Sequence, residues 1–207
     1  MKLLIATTNP GKLAEIKRFL SDASLELVSL QDLGIADVVE ETGNTFEENA
    51  ILKAKFYSAL SGLPTLADDG GFEIDALSGE PGVKSHRWID QSKDSTDEDL
   101  IAYTIERMKN IPEDKRTAQL RLVLALVLPI GKQYLAEEKI RGIVPVHPNG
   151  KRKVGFPFRS LLFLPEIHKY YNHDELTEEE NTRYNHRKKA LEKLKPMLKE
   201  LLQNDKR

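Results

Sequence analysis

Two aspartates followed by two glycines, Asp68-Asp69-Gly70-Gly71, are the residues of this chain best suited to chemistry. Paired carboxylates can hold Mg²⁺ through oxygen, or one can hold metal while the other activates water. The glycines let backbone approach a ligand closely. The same four residues also fit a plain surface turn. A second acidic pair, Glu40 and Glu41, stands ahead of a segment where Asn49 and Lys53 are four apart and share a helix face. If that face looks toward the aspartates, carboxylates for metal meet a lysine for phosphate. Standing alone, it is an ordinary solvated face. Phosphoryl chemistry needs that combination: cations to neutralise oxygens and a base to orient water.

These side chains need elements to hold them. Met1 to Ala6 is an apolar strand that runs straight into Thr7-Thr8-Asn9-Pro10-Gly11-Lys12, and a helical pattern with Leu13, Ile16, Phe19 and Leu20 opens behind it. Strand, turn with free backbone N–H groups, lysine and helix N-terminus make an anion site. The spacing is not that of a Walker loop, and the segment fits an ordinary βα connection with a solvated lysine equally well. Leu25 to Leu30 reads as a second strand. Thr45 with Glu48 is a capping box, opening a helix that should run to about Leu60, ahead of Gly62 and Pro64. Pro64 to Ala67 reads as a brief strand that stops at the aspartates. Ligand sites in open α/β sheets gather beyond such strand ends.

Farther along, a polar helix is expected near Asp97 to Lys109. Ala118 to Leu128 is nearly all apolar and reads as a central strand. Tyr134 to Ile140 returns beside it through a turn at Pro129 to Lys132. Gly150 to Ser160 is a loop that leads into Leu161 to Leu164. Thr177 with Glu180 forms another capping box, and Asn185-His186-Arg187 follows. A final helix carries Leu191, Leu194, Leu198 and Leu201 on one stripe, for core or dimer packing, kinked or restarted at Pro196. The alternation of strands and helices argues for an α/β or α+β architecture.

Composition bounds the rest. The 207 residues suit one domain, 1–207, or one domain built as two lobes, with no internal repeat or low-complexity linker. A net charge of −2 gives no reason to expect nucleic-acid or membrane binding, and Lys151-Arg152-Lys153 reads as a solvated turn. Without cysteine, disulfides and thiolate metal sites are excluded, which suits a reducing cytosol. The opening apolar run is too short for a signal-peptide core, and no segment reaches membrane-spanning length. His147, His168 and His173 lack metal-ligand spacing, and no Ser/His/Asp nucleophile signature is present.

Taken in order, these segments resemble the inosine triphosphate pyrophosphatase family, which hydrolyses purine nucleoside triphosphates with deaminated bases. The resemblance runs from about residue 3 to about 194. It rests on Ala6 to Lys12, on Glu41 to Ala50 continuing through Lys53-Ala54, on Ala67 to Gly71, on Gly79 to Arg87, and on His186-Arg187 with Ala190-Leu191. It implies a two-lobed α/β fold with a long mixed central sheet and an active-site cleft between the lobes. It also implies a cytoplasmic homodimer that needs Mg²⁺ and cleaves a triphosphate to a monophosphate and pyrophosphate.

Carried over, Asp69 would activate water, with Asp68 alongside. Glu41 or Glu40 would help hold the metal. Thr7, Thr8, Asn9, Gly11, Lys12 and Lys53 would hold phosphates, and Gly70 and Arg87 would lie against the substrate. Arg187 with His186 would face the base. The departures fall mainly on the base side. Phe156 and Phe158 keep aromatic surface for stacking, but Arg159 stands where the family has aspartate and Asn181 where it has lysine. Gly70 replaces a usual serine and Thr8 a common glycine. Cleavage chemistry is expected to survive while base preference is open to change, the substrate being ITP, dITP, XTP or another modified-base nucleotide, a modified purine or a pyrimidine deoxynucleotide among them. The competing readings are an idle nucleotide sensor of the same fold and a metal-dependent hydrolase of some non-nucleotide phosphate.

Overall fold

The computed structural model describes residues 1–90, 92–172 and 175–204. Its elements, in chain order, are β1 (Lys2–Ala6), α1 (Pro10–Phe19), β2 (Glu26–Ser29), α2 (Phe46–Ser61), β3 (Thr65–Ile74), α3 (Asp97–Arg107), β4 (Thr117–Val127), β5 (Gln133–Ile143), β6 (Phe163–Leu164), β7 (Lys169–Tyr170), α4 (Glu178–Tyr184) and α5 (His186–Asn204). The expected long mixed sheet is present, with seven strands in the order β2-β1-β3-β4-β5-β6-β7. Strand β1 is parallel to both β2 and β3, whereas β6 is antiparallel to β5 and β7. His173 lies outside the described residues.

The chain divides into two compact units. The first holds residues 1–69, 122–138 and those from His186 on, and the second holds 70–121 and 139–185. In the first, the chain leaves β1 through α1 to reach β2 on one side, then returns through α2 to reach β3 on the other. Right-handed crossovers in opposite directions put the two helices on opposite faces of the strands. Each face has its own core. Leu3, Ile5, Leu66, Leu122, Leu124 and Leu126 pack with Ile16 of α1 and with Leu191, Leu194 and Leu198 of α5. Leu4, Ala6, Ala67, Val123, Ala125 and Val127 pack with Phe46, Ala50, Ala54 and Tyr57 of α2. The alternation along β1, β3 and β4 assigns odd and even residues to different helices.

The second unit is built on a separate cluster that includes Phe72, Ile74, Leu100, Met108, Phe158, Leu161, Leu162 and Tyr171. Its loops are pinned by side chains. Ser85, in the Gly79–Arg87 segment, accepts from Phe72 N–H at 3.2 Å and donates to Gly82 O at 2.7 Å. Buried Arg116 donates to the carbonyls of Met108, Ile111, Val144 and Pro145.

Several elements differ from the sequence expectation. Strand β3 does not stop at Asp68 but runs through Asp68-Asp69-Gly70-Gly71 to Ile74. Thr45 caps α2 by accepting from Glu48 N–H at 3.1 Å, but the Glu48 carboxylate accepts from Asn44 N–H at 2.6 Å, so the box closes one residue early. The box at Thr177 and Glu180 is complete. Helix α5 continues through Pro196 without restarting, because its apolar stripe is anchored on both sides of that residue. Leu194, 1% exposed, sits in the middle of that stripe. Leu194→Ala is expected to lower stability by about 3 kcal/mol in urea melts, the usual result of a large cavity in a packed core.

Candidate active site

Adjacent strands β1 and β3 carry their outgoing connections to opposite sides, so the carboxyl end of β1, beside the middle of β3, marks the switch point at which α/β sheets bind ligands. Thr7 to Lys12 leaves the end of β1, and Asp68 and Asp69 lie on β3 at the same level, where Ala6 pairs with Ala67. Because neighbouring residues on a strand point to opposite faces, the two aspartates are not a pair in space. Asp68 turns to the α1 and α5 side, and Asp69 turns to α2.

Asp68 is a structural anion. Its Oδ2 accepts from Arg187 Nε at 3.0 Å and Nη2 at 2.9 Å, and its Oδ1 accepts from Lys12 Nζ. The third arm of Arg187 reaches Glu15 at 2.5 Å. Arg187 and both its partners are buried: Glu15 is 4% exposed, Asp68 3% and Arg187 4%. Burial alone would raise the Asp68 pKa, but the charges of Arg187 and Lys12 overcome it and hold the carboxyl well below the usual range. Burial likewise opposes the Arg187 charge, and Asp68 and Glu15 more than offset it. Glu15 escaped the sequence reading. Its only signal was a carboxylate three residues after Lys12 and directly before buried Ile16.

Asp69 has the opposite environment. Lys53 Nζ donates to Asp69 Oδ1 at 2.7 Å and to Glu41 Oε1 at 3.2 Å. Burial pushes the Asp69 pKa up to about 6, Lys53 opposes that rise, and the Glu41 charge adds to it. Glu41 is itself held below its ordinary value, because Lys53 outweighs its partial desolvation. Buried Asn49 fixes the segment that carries Glu41, accepting from Gly43 N–H at 2.8 Å. A Cβ on Gly43 would meet that Asn49 oxygen at 2.6 Å, so only glycine fits there. Asn49 and Lys53 do share the helix face that looks toward Asp69.

The remaining candidates are placed as follows. Asn9 caps α1, its Oδ1 accepting from the N–H groups of Gly11 and Lys12 at 2.9 and 3.1 Å. Those two amides are therefore already satisfied, and the positive group the turn presents is the Lys12 ammonium. Thr7 Oγ1 accepts from Asn9 N–H at 3.2 Å, and Thr8 and Glu40 are exposed. His186 opens α5 and is buried in the first unit, beside Arg187 in sequence.

Gly70, Arg87, Phe156, Phe158, Arg159 and Asn181 belong to the second unit. Arg87 is largely exposed and pairs with Asp94 at 3.4 Å. Phe158 stacks on Phe72 with ring centroids 5.1 Å apart and is core. The Arg159 guanidinium lies 3.9 Å above the Phe156 ring and 5.6 Å from that of Tyr171. Buried Asn181 donates to Leu176 O and Thr177 O, tying itself to the start of its own helix.

The Ham1 family pattern matches residues 3–197. The chain belongs to the Ham1 family. It is 39% identical over 202 residues to a dITP/XTP pyrophosphatase of Symbiobacterium thermophilum, covering 98% of this chain and 97% of that one. It is 36% identical to the dITP/XTP pyrophosphatase of Bacillus subtilis, covering 94% of this chain and 96% of that one. A solved Ham1 protein from Coxiella burnetii superposes with a TM-score of 0.82 at 32% identity, covering 97% of this chain and 99% of that one.

Among the described residues no three His, Asp or Glu side chains gather into a metal cage. The donor set at Asp69 and Glu41 nevertheless fits a hard divalent cation. Mg²⁺ characteristically takes one or two carboxylates and completes its shell with water and substrate phosphate. A buried carboxyl raised by desolvation and by a neighbouring carboxylate is one that a cation relieves.

The Arg187–Asp68 linkage has a definite sign. A carboxyl whose folded-state pKa is depressed stabilises the protein above its ordinary pKa, and that stabilisation is lost as pH falls through the folded value. Arg187→Met leaves buried Glu15 without its cation and buried Asp68 with Lys12 alone, and is expected to lower stability by about 3–5 kcal/mol at pH 7. Urea melts from pH 7 down to pH 3 should show this deficit shrinking in acid, as Asp68 becomes neutral in the variant.

Proposed function

We propose that this chain is a nucleoside triphosphate pyrophosphatase that converts an NTP or dNTP and water to the monophosphate and pyrophosphate. The observation that carries the reading is the Lys53–Asp69–Glu41 cluster at the β1/β3 switch point, with Lys12 beside it. Water attacks the α-phosphorus, its proton passes to the Asp69 carboxylate, and the bond to the bridging oxygen breaks to release pyrophosphate. In the metal-free protein burial raises the Asp69 pKa to about 6, so its carboxylate is mostly ionised at neutral pH. Lys53 and Lys12 bind the phosphate oxygens. Glu41 and Asp69 would hold Mg²⁺, which neutralises phosphate charge and aligns the reacting oxygens. Exposed Glu40 would add an outer carboxylate.

Deaminated purines, as dITP, ITP and XTP, are the substrates this reading assigns, in keeping with the names of the relatives. Phe156 and Arg159 are its candidates for the base, with Asn181, Phe158 and Arg187 acting by holding their surroundings in place. The reading treats residues 1–207 as one catalytic domain, working as a cytoplasmic homodimer without nucleic-acid or membrane partners. No helix among the described residues is long and apolar enough to cross a membrane.

The test is pyrophosphate release with Mg²⁺ across ribo- and deoxyribonucleoside triphosphates, run beside Asp69→Asn. Pyrophosphate from dITP, ITP and XTP at rates at least a hundredfold above ATP and GTP is expected, with Asp69→Asn reduced by a hundredfold or more. Release of orthophosphate, or no cleavage of any nucleotide, overturns the reading. The second outcome would favour the nucleotide sensor.

A further inference from the structure

We propose that Lys53 is a displaceable internal cation: in the metal-free protein its ammonium closes the Glu41–Asp69 carboxylate pair, and it moves onto substrate phosphate when a divalent cation takes that pair. The inference rests on the proposed pyrophosphatase reading and adds an order of events to it. Metal enters together with the nucleotide, because only the phosphates give Lys53 another anion to neutralise.

The geometry carries the argument. One ammonium bridges both carboxylates, at 2.7 Å from Asp69 and 3.2 Å from Glu41. Those are the two carboxylates the proposed function gives to the metal, so ammonium and metal compete for the same oxygens. Lys53 is well suited to the exchange. Its charge is a compact point on a flexible four-carbon stem, which can swing without moving α2. The competition is also one-sided in space. The Lys53 side chain is only 12% exposed and that of Asp69 10%, whereas the Glu41 side chain is 37% exposed. Incoming cations therefore meet the longer and more exposed contact first, the one to Glu41.

Lys12 is not equivalent. It is held by Asp68, whose other oxygen is already committed to Arg187. Displacing Lys12 would unbalance the buried network that joins α1, β3 and α5. Displacing Lys53 leaves its partners neutralised by the arriving metal.

The experiment is a Mn²⁺ titration of the nucleotide-free protein, read by electron paramagnetic resonance, on wild type, Lys53→Met, Lys53→Arg and the double variant Lys53→Met/Asp69→Asn. Lys53→Met is expected to bind Mn²⁺ at least tenfold more tightly than wild type. Lys53→Arg, which keeps the charge, should stay near wild type, and the double variant should lose the gain. Should methionine prevent folding, Lys53→Gln can still hydrogen-bond both carboxylates and should show the same direction. Unchanged or weaker Mn²⁺ affinity in Lys53→Met or Lys53→Gln overturns the inference, as does a gain equal in Lys53→Arg. Pyrophosphate release by the wild type is assayed in parallel. If it occurs while the Mn²⁺ series is flat, the cation exchange alone fails; if no nucleotide is cleaved, the functional reading fails and the exchange with it.

Discussion

The buried fork between Arg187 and Asp68 is the interaction on which the rest of the first unit depends. A guanidinium with five donors is committed on one side to Asp68 and on the other to Glu15. It ties the first residues of α5 to β3 and to α1, elements that are far apart in the chain. Lys12 then completes the charge balance on Asp68, which fixes where its ammonium can stand. Breaking one partner of such a network leaves another charge buried and uncompensated, which is far worse than losing a surface pair. The carboxyl end of β1 and the part of β3 that carries Asp68 are thus held rigid before any substrate arrives, as a site for phosphoryl chemistry requires.

Strand geometry does the remaining work. With period two, adjacent aspartates cannot serve the same side of a sheet, so one joins the Arg187 network and the other faces Lys53. Asp68 has its charge matched by two cations. Asp69 shares one cation with Glu41, and burial leaves it less acidic than an ordinary carboxylate. Two chemically identical neighbours have opposite roles because they look at different helices.

Much of the fold was legible from the residues. The helices and the longer strands follow the apolar periodicity, and Thr45, Gly62 and Thr177 end or begin helices where their side chains and backbone freedom predict. The end of β3 was not legible. Asp-Asp-Gly-Gly is a turn sequence by local preference, and what keeps it extended is non-local, including the Ser85 hydroxyl on Phe72 N–H. The site was legible as a set of residues but not as a partition. Lys53 with Asp69 and Glu41 follows from a helix face and a strand end. The capture of Arg187 by Asp68 and Glu15 joins positions 119 and 172 residues apart, for which one sequence contains no signal. Phe158 likewise reads as a stacking surface until Phe72 is found against it.

The division of labour between Asp68 and Asp69 is tested most directly by urea melts of Asp68→Asn and Asp69→Asn in the metal-free protein at pH 7. Ionised Asp68 is bound by two cations, so neutralising it is expected to lower stability by about 3–5 kcal/mol. Asp69 has a pKa raised from 3.8 to about 6, so its charge destabilises the folded state above that range and is harmless below pH 4. Asp69→Asn should therefore raise stability at pH 7, by about 3 kcal/mol, with most of the gain gone at pH 4. Opposite signs for the two variants support the account; a loss of similar size in both would contradict it.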